Sequence, residues 1–125
     1  MVEVIATDEF AEWYADLNEG DAEAVTRGAE RLEQVGAQLG FPHSSAINGT
    51  RYPIRELRCQ SGGRPLRVFY AFDPLRQAVL LLGGDKTGSG RFYEVMLPLA
   101  ERIWEQYLEE QAAGMHEAAG KETRR

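Results

Sequence analysis

The sequence predicts an α+β domain in which an antiparallel sheet packs against an N-terminal helical hairpin and a C-terminal helix. Three observations predict it. Apolar residues recur at helical spacing between Phe10 and Leu39. Three strand-like runs separated by turn residues lie between Ile54 and Leu82. A second helical stripe then runs from Phe92 to Tyr107.

Val2, Val4 and Ala6 alternate with Glu3 and Ile5, the pattern of a short edge strand. Thr7 can cap a helix whose first turn carries Asp8 and Glu9, suited to the positive end of the helix dipole. Phe10, Trp13, Tyr14 and Leu17 form its stripe, and Asn18 and Gly20 break it. A second helix follows, with Ala22, Val25, Ala29, Leu32, Val35 and Leu39 on one face. Gly36 falls in its last turn, and Gly40 and Pro42 end it. The hairpin is expected to carry an acidic outer surface.

Phe41 to Pro53 reads as loop. Ile54 to Gln60 reads as a strand, Ser61 to Gly63 as a turn and Arg64 to Phe72 as a second strand. Asp73-Pro74-Leu75-Arg76 has the chemistry of a type I turn with Pro74 at its second position. Gln77 to Leu82 is almost wholly apolar, as expected of a strand inside the sheet. "GGDKTGSGR" then reads as a glycine-rich loop before the last helix. Phe92, Val95, Met96, Leu99, Ile103 and Tyr107 lie along that helix, and Pro98 either kinks it or marks a new start. Residues 1–111 are expected to form one domain, with 112–125 a flexible polar tail.

Cys59 is the only cysteine, so an intrachain disulfide and a four-cysteine zinc site are excluded. There is no signal-like apolar run, which with the single cysteine points to a cytoplasmic protein and away from a membrane. No metal-ligand spacing is present, and no cofactor is expected. Net charge is −6, against nucleic acid as a partner, but its distribution says otherwise. Met1–Thr50 carries −8, Arg51–Arg91 carries +5 and the remainder −3. A basic middle lies between acidic ends.

Side-chain alternation decides which basic residues share a face. Leu66, Val68, Tyr70 and Phe72 form one apolar series and should meet the helices, which sends Arg67 and Phe69 to the other face. In the preceding strand Leu57 belongs with the core, so Ile54, Glu56 and Arg58 join Arg67. Arg55 falls on the Leu57 side, at the rim. Lys86 and Tyr93 lie where the last strand hands over to the helix. Either Arg67 is held in a structural ion pair, or this open face is built to meet an anion.

At these residues the chain resembles the RelE/HigB toxin superfamily, and within it the phage-derived Gp49-like group. The likeness lies in the order helix, helix, "RELR", "RVFYAFDP", "LLLGGDK" and a helix with "FYEVMLPLAERI". It implies a compact RelE-like fold and a cognate antitoxin, often a helix-turn-helix protein. It also implies metal-independent cleavage of mRNA on the ribosome, by attack of a ribose 2′-hydroxyl on the adjacent phosphate. The family's phosphate-binding arginine falls on Arg67, its closing basic residue on Lys86, its aromatic on Tyr93 and its "LR" arginine on Arg58. Arg55, Arg64 and Arg91 complete the substrate-binding candidates. Two features depart from the pattern: this chain is acidic, and Glu56 stands where the superfamily's presumed base is a lysine.

The chemistry can be argued from the residues themselves. Arginine forks and a lysine suit phosphate oxygens, and Glu56 can accept the hydroxyl proton or can simply pair with Arg58 or Arg67. Tyr93 can stack on a base or serve the core. His43 and His116 are expected to be bystanders, and Cys59 a small core-facing residue. "GGDKTG" departs from the Walker pattern because Asp85 precedes Lys86. A non-nuclease toxin of the same fold, such as a gyrase inhibitor, or an inactive antitoxin-binding protein is the alternative.

Overall fold

Helices and strands begin where the sequence supplies a cap or a turn. The computed structural model describes residues 1–114, so most of the expected tail, including His116, lies outside them. The elements are β1 (Val4–Ala6), α1 (Asp8–Ala15), α2 (Glu19–Val35), β2 (Ser44–Ala46), β3 (Arg55–Ser61), β4 (Arg64–Phe72), β5 (Ala78–Asp85) and α3 (Phe92–Ala112). Thr7 caps α1 by accepting from the Phe10 amide, and Asn18 caps α2 by accepting from the Asp21 amide. Gly20 therefore lies inside α2 rather than before it. Gly36, at φ +71°, stops α2 at Val35, because that left-handed conformation suits glycine and breaks the helical path.

The five strands run in the order β1-β5-β4-β3-β2. All neighbours are antiparallel except β1, which lies parallel to β5 at the edge. β2 corrects the expectation of loop from Phe41 to Pro53. Its Ser-Ser-Ala run lacks β-branched and alternating residues, and it becomes a strand only by pairing with Arg55–Leu57 of β3. Ser44 Oγ and Tyr70 OH share a buried 2.6 Å hydrogen bond that fixes it there.

The two faces divide as the alternation requires. Leu57, Cys59, Leu66, Val68 and Tyr70 face α1 and α2 with Phe10, Val25 and Leu32. Ile54, Phe69, Ala71, Val79 and Leu81 face the other way. That second face is not left open. α3 covers it with Phe92, Ala100, Trp104 and Tyr107, and Pro98 lies inside this helix rather than starting another. No helix among the described residues is long and apolar enough to cross a membrane.

Glycines set the close approaches. Gly62 and Gly63, at φ +56° and +79°, make the tight turn between β3 and β4. Gly83 and Gly84, expected in a loop, belong to β5 and present their bare Cα atoms to opposite faces. A Cβ on Gly83 would enter the Trp13 indole, and one on Gly84 would stand 2.9 Å from Phe92 Cε1. The pair is there to let α1 and α3 lie close on the sheet.

Asp73, buried in the β4–β5 turn, ties the sheet to the end of α3. Its carboxylate accepts from the Gln77 amide at 2.8 Å, Tyr107 OH at 2.8 Å and Gln111 Nε2 at 2.9 Å. Burial alone would raise its pKa, but these donors outweigh it and hold the carboxyl below its ordinary value. Its contribution to stability is therefore complete above the unfolded value of about 3.9 and is lost as pH falls through the lower folded value. Asp73→Asn removes that titration. The gap in urea midpoint between wild type and Asp73→Asn should close as pH drops below about 4; a gap independent of pH would refute the assignment.

Candidate functional site

Register brings the site together. β3 and β4 place Arg58 opposite Arg67 and Glu56 opposite Phe69, while β2 places Ser45 opposite Glu56. Lys86, just past β5, is anchored by its amide to the Pro65 carbonyl. Tyr93 sits in the first turn of α3.

Glu56 is the hub. Its Oε1 accepts from Tyr93 OH at 2.6 Å and lies 3.6 Å from Arg67 Nε. Its Oε2 accepts from Ser45 Oγ at 2.9 Å and lies 3.8 Å from an Arg58 amino group. Glu56 and Arg67 are each only 4% exposed. Arg67 donates from NH1 to the Leu66 carbonyl, but its buried Nε reaches no hydrogen-bond acceptor. At the rim, Lys86 Nζ stands 5.2 Å from the centre of the Tyr93 ring, and the Arg58 guanidinium lies 5.1 Å over Phe41.

Two arginines thus converge on a single carboxylate, and Lys86 stands beside the tyrosine that donates to it. Burial, then the hydrogen bond to Glu56, raises the Tyr93 pKa, so its phenol stays protonated at neutral pH. The arrangement offers a proton acceptor, a proton donor and an excess of positive charge, with Arg58, Lys86 and Tyr93 partly exposed.

Five sequence candidates therefore meet: Glu56, Arg58, Arg67, Lys86 and Tyr93. Three do not. Arg64 turns away to a close ion pair with Asp21 and a 2.8 Å pair with Asp85. Arg55 lies on the helical face, where Nε donates to Ser44 Oγ at 3.1 Å. Arg91 is exposed and pairs with Glu94. Ser45 and Phe41 carry no such signal in the sequence, because both lie in a stretch whose composition is that of a loop. Recognising β2 would have placed Ser45 against Glu56.

Comparison with known proteins identifies the family. The family model described as phage derived protein Gp49-like matches residues 12–105. "Putative toxin HigB3" of Mycobacterium tuberculosis (strain ATCC 25618 / H37Rv) is 37% identical over 113 residues, covering 89% of this chain and 97% of that protein. "Putative toxin HigB2" of the same organism is 34% identical over 99 residues, 77% of this chain, and the match spans about half (49%) of its length. No solved structure matches the chain. With three quarters of the residues inside the family model, and a near full-length relative that shares more than a third of its positions, the chain belongs to the phage-derived Gp49-like family.

Proposed function

We propose that this protein is the toxin of a toxin–antitoxin module and that it cuts translated mRNA on the ribosome without a metal. The observation that carries the reading is the gathering of Arg58, Arg67 and Lys86 around the single Glu56–Tyr93 pair. Such an excess of cations calls for an anion, and a phosphodiester supplies one. The toxin role is supported by the relatives named for it. It brings with it a cognate antitoxin, for which a helix-turn-helix protein is the expected form.

In the reaction, the ribose 2′-oxygen attacks the adjacent phosphorus and the bond from phosphorus to the 5′-oxygen breaks. Glu56 takes the 2′-hydroxyl proton and Tyr93 gives its proton to the departing oxygen. The 2.6 Å hydrogen bond between them then returns the proton to the tyrosine and restores the starting state. Arg58 and Lys86 hold the phosphate oxygens at the rim, with Arg67 behind them neutralising the charge that builds up.

End-group analysis of RNA from induced cells tests this. Products should carry 2′,3′-cyclic or 3′-phosphate and 5′-hydroxyl ends, and Arg58→Ala with Lys86→Ala should reduce cutting by a factor on the order of a hundred. Ends with 5′-phosphate and 3′-hydroxyl would defeat the mechanism. A second reading, a non-nuclease toxin of the same fold, is favoured by one observation: Arg67 is buried against Glu56, as a purely structural pair would be. Growth arrest with intact RNA and altered DNA supercoiling would select it.

A further inference from the structure

α2 was expected to be acidic on its outside, but its charges divide by flank. Glu30 and Glu33 line an apolar groove toward α1 and β1, whereas Arg27 and Arg31, one turn apart, lie toward β3, with Arg27 also bordering Glu19 and Glu23. The helix comes close to the strand there because residue 28 is glycine: a Cβ at that position would stand 2.9 Å from Cys59 Sγ. A glycine inside a helix costs about 1 kcal/mol against alanine, so this approach is built at some expense.

Between α2 and the edge of β3 the chain leaves a pocket of about 310 Å³, lined by Arg27, Arg31, His43, Arg58 and Gln60, and no carboxylate lines it. Among the described residues Arg27 and Arg31 form no ion pair. Arg58 belongs to both places. It lines this pocket and also stands 3.8 Å from Glu56, so the pocket continues the cationic site around the edge of the sheet. Beside it the Phe41 ring is 77% exposed, with the Arg58 guanidinium on one face. A cationic pocket next to an exposed aromatic is a pairing that single-stranded nucleic acid recognises, the phosphate in the pocket and a base on the ring.

We propose that Arg27, Arg31 and His43 form a second phosphate subsite, which holds a backbone phosphate of the RNA strand flanking the one at Glu56 and Arg58. The inference rests on the nuclease reading and names where the strand runs: from the rim of the site, past Phe41, into the α2–β3 pocket.

The test compares a dinucleotide and an octanucleotide of 2′-O-methyl RNA, which cannot be cut because the attacking hydroxyl is blocked. Arg27→Ala with Arg31→Ala should bind the octanucleotide roughly tenfold more weakly than wild type and lower its logarithmic salt slope by about 0.7, the share of one phosphate. Binding of the dinucleotide should be unchanged, and Arg27→Lys with Arg31→Lys should recover most of the loss. Thermal unfolding of each variant at the wild-type midpoint secures the comparison, since Arg27 is exposed and Arg31 half-buried. Equal octanucleotide binding by wild type and the alanine variant overturns the subsite while end-group analysis can still uphold the nuclease. Weakened antitoxin binding with RNA binding intact would assign the pocket to protein and overturn it as well. Uncut RNA in cells arrested by wild type removes both readings.

Discussion

Glu56→Ala should destabilise the protein by about 3–5 kcal/mol, the range for leaving one partner of a buried ion pair alone. Among the described residues Glu56 is the only acid that forms an ion pair with Arg67, whose hydrogen bond goes to the Leu66 carbonyl. Its removal also strips the Tyr93 and Ser45 hydroxyls of their acceptor. Glu56→Gln keeps an oxygen for those hydroxyls and should cost less. Glu56→Leu with Arg67→Met should recover most of the stability, because two apolar side chains of similar length remove both desolvation penalties at once. Urea unfolding of the three variants reads this directly. A loss below about 1 kcal/mol for Glu56→Ala, the scale of an exposed pair, would show that Arg67 reaches water. The series also separates chemistry from folding. On the proposed nuclease reading, loss of RNA cutting in Glu56→Ala follows from either, whereas a stably folded Glu56→Leu, Arg67→Met protein that no longer cuts isolates the chemistry.

Gly83→Ala is the second large effect. Its new methyl group would occupy the space of the Trp13 ring, and neither neighbour yields easily: the strand is held by β4, and the indole lies between α1 and the sheet. Overpacking of this kind costs typically 1–3 kcal/mol, and the rigidity on both sides places this site at the upper end. Trp13→Leu should partly rescue Gly83→Ala, a coupling that a double-mutant cycle measures. Gly90→Ala is the control, since a Cβ there meets nothing within 4 Å. Equal stability of the two alanine variants would mean that Trp13 is free to move aside.

Much of this was legible in the sequence because period-two alternation is a local signal. It sorted Glu56, Arg58 and Arg67 onto one face, where their ion pairs join them, and Leu57, Cys59 and Tyr70 onto the other, in the core beneath α1 and α2. Signals that depend on distant partners were not legible. Nothing near Arg64 announces Asp21, forty-three residues away, as its partner. β2 has no strand character of its own and borrows it from β3. The glycine pair in "GGDK" resembles a loop in composition, and only the Trp13 and Phe92 rings reveal why it is a strand. The charge of −8 over Met1–Thr50 averages over both helices and hides the basic flank of α2, which appears only once the strand beside it is known.

The place of β1 has a consequence for the order of assembly. Residues 4–6 find their hydrogen-bonding neighbours only at 78–80, and Thr7 Oγ1 donates to the carbonyls of Leu80 and Leu81. The β3–β4 and β4–β5 pairings, by contrast, close across short turns. Local hairpins form early and cheaply in chain entropy, whereas a contact more than seventy residues apart must wait. During synthesis, then, β1 emerges well before β5 and must wait for it to find its place. A nascent chain halted before Ala78 carries α1 and α2 with no β5 to receive Trp13, and its exposed apolar surface invites aggregation.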